Sequence, residues 1–78
     1  MSPSFLSEKG FRFSIHSNEE NRAHVHVFKD DNEAKIWLEP NVELDSNYGF
    51  KKKELQTALE IVNEHAEDFR KKYRDYIR

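Results

Sequence analysis

Seventy-eight residues without a cysteine make one domain and exclude disulfides, thiolate metal ligands and cysteine nucleophiles together. The net charge of −2 speaks against a dedicated non-specific nucleic-acid binder, which would be strongly basic. A secreted domain of this size would need staples, the start Met1-Ser2-Pro3-Ser4-Phe5-Leu6 has no basic or long apolar run, and no uncharged stretch could span a bilayer, so a cytoplasmic chain without a membrane partner is expected.

Residues 1–9 are Ser-rich without a sustained period and read as a flexible leader to a single domain over 10–78. Phe11, Phe13 and Ile15 then alternate with Arg12, Ser14 and His16, which predicts a half-buried strand. A polar turn over 17–22 leads to a second strand, with Val25 and Val27 opposing His24, His26 and Phe28. Asp30-Asp31-Asn32 is a tight-turn cluster, because Asp and Asn tolerate left-handed backbone. Ala34-Lys35-Ile36-Trp37-Leu38 predicts a third strand that Pro40 ends or marks as an edge. Val42-Glu43-Leu44 offers a short fourth strand before a loop at Ser46-Asn47-Tyr48-Gly49.

After Gly49 the pattern is helical: Leu55, Leu59, Val62, Ala66, Phe69, Tyr73 and Tyr76 recur at three- and four-residue spacing. Glu67 and Asp68 stand four residues before Lys71 and Lys72, the favourable order for ion pairs. Lys51-Lys52-Lys53 opposes the helix dipole and offers no capping oxygen, so that end frays or its lysines serve another purpose. One straight helix would be about 40 Å long at ~1.5 Å per residue, twice the length of the strands. A kink or break at Asn63-Glu64-His65 is therefore expected. The fold class is α+β: a small antiparallel sheet of three to four strands, covered on one face by the helical C-terminal third, as one kinked helix or two.

Alternation sorts the side chains. One face collects Phe11, Phe13, Ile15, Val25, Val27, Ala34, Ile36 and Leu38 and is the core. The other holds Arg12, Ser14, His16, His24, His26, Phe28, Lys35 and Trp37. Three readings of that second face stand side by side. His24 and His26 are polar fillers; or they are the acid–base pair of a metal-independent ribonuclease, with Arg12 and Lys35 stabilising an anion and Trp37 stacking on a base. The third reading is a metal site, since same-face residues at i and i+2 lie about 6.5–7 Å apart and two imidazoles can share an ion. It needs further ligands, with His16 or a carboxylate as the supply, so no metal or other cofactor is expected. The C-terminal cations Arg70, Lys71, Lys72, Arg74 and Arg78 coat the surface or form a basic strip for an acidic partner or for phosphates.

Gly10-Phe11-Arg12-Phe13, Ala23-His24-Val25-His26-Val27, Ala34-Lys35-Ile36-Trp37-Leu38-Glu39-Pro40, Tyr48-Gly49-Phe50 and the closing Glu67-Asp68-Phe69…Tyr73…Tyr76 together resemble the bacterial domain-of-unknown-function family 4160. The chain departs from that pattern in carrying Arg22-Ala23 where many relatives have Pro-Pro, Lys51 where many have a capping residue, and Tyr73 near a common Trp. The resemblance implies a toxin-like component of a two-gene bacterial module, encoded beside a small cognate partner of family 2442. The expectation is action on RNA through His24 and His26. The alternatives are a non-catalytic module that binds the cognate partner through Arg70, Lys71 and Lys72, and a small His-based metal-binding domain.

Overall fold

The computed structural model describes residues 4–15 and 22–77. Five strands and two helices follow one another: β1 (Ser4–Glu8), β2 (Phe11–Ser14), β3 (His24–Lys29), β4 (Asn32–Trp37), β5 (Glu43–Tyr48), α1 (Lys52–Glu64) and α2 (Ala66–Ile77). The strands form one antiparallel sheet in chain order, so each pairs with its sequence neighbour.

The sheet has five strands rather than three or four: β1 is an addition, and the short fourth strand expected at Val42-Glu43-Leu44 is observed as β5, running on to Tyr48. The expected leader contributes β1, whose Leu6 packs against the core while its backbone pairs with β2. Lys9 and Gly10 join these strands with φ of 53° and 85°, the pair of positive values that a two-residue hairpin turn needs. The expected loop after Leu44 is strand as well. Register shifts between Lys35 and Ile36, so Leu44 lies opposite Ile36 while Ser46 lies opposite Lys35. The extra residue, Asp45, is a bulge that resets which face each side chain takes.

The expected core face is the observed one, with Phe11, Phe13, Ile15, Val25, Val27, Ala34, Ile36 and Leu38 all buried. Ala58, Ile61 and Val62 of α1 and Phe69 and Tyr73 of α2 cover it, with Leu55 and Leu59 on the flanks. The helical third breaks at His65, as expected, whose φ of −108° and ψ of 13° end α1. Phe69 N–H then donates to the His65 carbonyl and starts the next helix. Gly49 makes the entry to α1: its φ is +107°, and a Cβ there would collide with Asn32 Oδ1. Asn47 brackets that turn, donating to the Phe50 carbonyl and accepting from the Phe50 N–H. Among the described residues no helix is long and apolar enough to cross a membrane.

Candidate functional site

The second face of the sheet can be laid out from the register. One row runs Arg12, Phe28, Glu33, Tyr48; the next runs Ser14, His26, Lys35, Ser46; the third runs His24, Trp37, Glu43. Arg12, His24, His26, Lys35 and Trp37 are thus brought together, as alternation predicts. His16 lies outside the described residues, as do the side chain of Tyr76 and all of Arg78.

The face is not open at its histidines. His24 is 0% exposed and His26 only 7%. His24 has rings on three sides: Trp37 at 5.5 Å between centroids, His26 at 5.2 Å and Tyr73 of α2 at 5.3 Å. Its Nδ1 lies 2.8 Å from the carbonyl oxygen of Arg22. A carbonyl only accepts, so Nδ1 carries the proton and the tautomer is set. His26 stacks on Phe28 at 6.4 Å and has Nδ1 3.5 Å from Glu33 Oε2. The two imidazoles form part of a packed aromatic ladder.

Above that ladder the surface is made of cations over rings. Arg12 lies 5.2 Å from the Phe28 centroid, and both Arg22, at 4.2 Å, and Lys35, at 4.5 Å, approach Trp37. Each such contact is worth about 0.5–1 kcal/mol at an exposed site. Arg22, in a stretch that read only as a polar turn, is held in place by the Glu39 carbonyl at 2.6 Å and Glu43 at 3.3 Å. Trp37 Nε1–H donates to Asp45 on the bulge, 3.1 Å away. Carboxylates of Glu33, Glu43 and Asp45 therefore alternate with Arg12, Arg22 and Lys35. Tyr48, 67% exposed, completes the outer row. Sequence patterning missed Arg22, Asp45 and Tyr48 because none of them stands in a regular alternation.

The C-terminal cations divide by what they touch. Arg70 is half-buried and donates to the Leu38 carbonyl at 2.8 Å and to Glu67 at 2.8 Å, so it ties α2 to the end of β4. Glu67 thus pairs with Arg70 rather than with Lys71, whereas Asp68 and Lys72 pair as expected at 3.2 Å. Arg74 reaches Glu39 at 3.5 Å. Lys71 is exposed. A continuous free basic strip is not what these residues build.

A group able to hold a cation lies away from His24 and His26. Glu8, Glu64 and His65 offer one donor atom each within 4.8 Å of one another. His65 Nε2 stands 3.3 Å from Glu8, and this contact ties β1 to the helix junction. No curated protein and no solved structure matches the chain. Residues 10–74, all but the two ends of the chain, match the family described as domain of unknown function (DUF4160), and the chain belongs to that family.

Proposed function

We propose that the chain is an intracellular, non-catalytic binding module, one member of a two-gene bacterial module, and that its second sheet face docks on the cognate small protein. The observation that carries this reading is the composition of that face: Arg12, Arg22, Lys35, Trp37 and Tyr48 at the surface, with His24 and His26 packed beneath. Trp, Tyr and Arg are the residues that dominate protein interfaces. The interleaved Glu33, Glu43 and Asp45 favour a protein over a phosphate backbone, which those carboxylates would repel.

Titration of the chain with the product of the neighbouring gene tests this. Arg12→Ala and Arg22→Ala are each expected to weaken binding about tenfold, a change of about 1.4 kcal/mol. Unchanged affinity in both variants would refute the assignment of the face. One feature favours the second reading, acid–base action on RNA: the Glu33 carboxylate stands 3.5 Å from His26 and could orient its imidazole. In that case induction without the neighbouring gene should stop growth, and His26→Gln should restore it while binding to the partner is kept.

A further inference from the structure

On another part of the molecule, a concavity of about 430 Å³ opens between the β1–β2 turn, the end of β3 and the start of α1. Four lysines line it: Lys9 from the turn, Lys29 from β3, and Lys51 and Lys53 from the start of α1. Among the described residues that line it, Glu54 is the one carboxylate. Its Oε1 accepts the Lys51 N–H at 3.1 Å and its Oε2 lies 4.0 Å from Lys29 Nζ, so it is already turned towards the helix end. The lining thus carries four ammonium groups against one carboxylate, with Phe11 and Thr57 completing a largely apolar wall.

The fold does not explain the charges at the start of α1. Lys51 and Lys53 oppose the dipole of α1, and Lys51 stands at the N-cap without a side-chain oxygen to offer. Lys29, by contrast, is held in position. Its stem crosses Gly10, where a Cβ would stand 3.3 Å from Lys29 Cε, and its ammonium lies 4.9 Å from the centroid of the buried Phe11 ring. Like charges gathered around one hollow create a potential that attracts a multiply charged anion. The volume lies within the ~300–1,000 Å³ of small-molecule sites and is far too small for a folded partner. With Phe11 buried beneath Lys29, the site offers ammonium groups and no open ring on which a base could stack.

We infer that this concavity binds a free oligophosphate, the linked phosphates of a triphosphate chain, through Lys9, Lys29, Lys51 and Lys53. The inference is independent of the docking face proposed above.

Calorimetric titration of the full chain with inorganic triphosphate at low salt tests it. Saturable one-to-one binding is expected, together with a loss of about tenfold or more in the double variant Lys29→Gln, Lys51→Ser. Serine at position 51 supplies a capping oxygen, so this variant keeps its helix. The double variant Lys71→Gln, Lys72→Gln removes the same charge elsewhere and should leave affinity within about twofold. Equal losses in both variants, or equal affinity for orthophosphate, would overturn the site. So would an RNA oligomer lacking a terminal triphosphate that binds more tightly and fails in the same variant. Adenosine triphosphate as a second probe separates the sources: tighter binding assigns a nucleotide, and equal binding assigns the bare phosphate chain.

Discussion

Replacing His24 by alanine distinguishes a packed histidine from a working one. The ring is fully buried, touches Trp37, His26 and Tyr73, and donates one hydrogen bond to the Arg22 carbonyl. Truncating a buried aromatic ring costs about 3–5 kcal/mol, and an imidazole, being smaller, falls near the lower end of that range. The lost hydrogen bond, which is part-buried, adds about 0.5–1.5 kcal/mol at most. A loss of about 3 kcal/mol or more follows, against about 4–12 kcal/mol for a domain of this length. The midpoint of thermal unfolding should fall by about 12 °C or more. Urea unfolding followed by circular dichroism measures the loss. The fluorescence of Trp37, the single tryptophan, reports on the same neighbourhood. A loss below about 1 kcal/mol with native spectra would refute the packing argument and return His24 to the substrate-facing role. A variant with both histidines changed to alanine therefore confounds activity with folding, and His26→Gln is the cleaner probe.

Gly49→Ala should destabilise by about 1–3 kcal/mol in urea unfolding, since both the positive φ and Asn32 Oδ1 oppose a Cβ. Arg70→Ala should cost about 1.5–3 kcal/mol through its charge-assisted bond to the Leu38 carbonyl. Lys72→Ala and Arg74→Ala, whose ion pairs are exposed, should cost about 1 kcal/mol or less in the same assay. Lys51→Ser should raise the unfolding midpoint by about 4–8 °C, because a capping oxygen worth about 1 kcal/mol replaces a charge that opposes the dipole.

Period-two alternation was enough to place Phe11 to Leu38 on the core face, and Asn63-Glu64-His65 was enough to locate the helix break. Both are local signals. Strand β1 carries no period because it is an edge strand paired through its backbone, with Leu6 its contact to the core among the described side chains. The signal that could have found it was the Lys9-Gly10 pair, a two-residue hairpin turn. Strand β5 runs past the short strand expected at Val42-Glu43-Leu44 for a different reason: Asp45 interrupts the alternation, and Leu44 and Tyr48 then take opposite faces. The second face was legible as a set of residues but not as a surface. That His24 is buried depends on Tyr73, almost fifty positions later, and no pattern local to β3 encodes that contact.

The bulge at Asp45 has a consequence for how copies of the chain behave together. As the last strand of an open sheet, β5 presents backbone groups that another strand could pair with, the usual route to aggregation. Its interrupted register twists that edge, and the carboxylates of Glu43 and Asp45 charge it. The irregularity that hides the second half of β5 in the sequence thus acts as a guard, keeping an exposed ladder from recruiting a second copy while leaving Tyr48 at the surface.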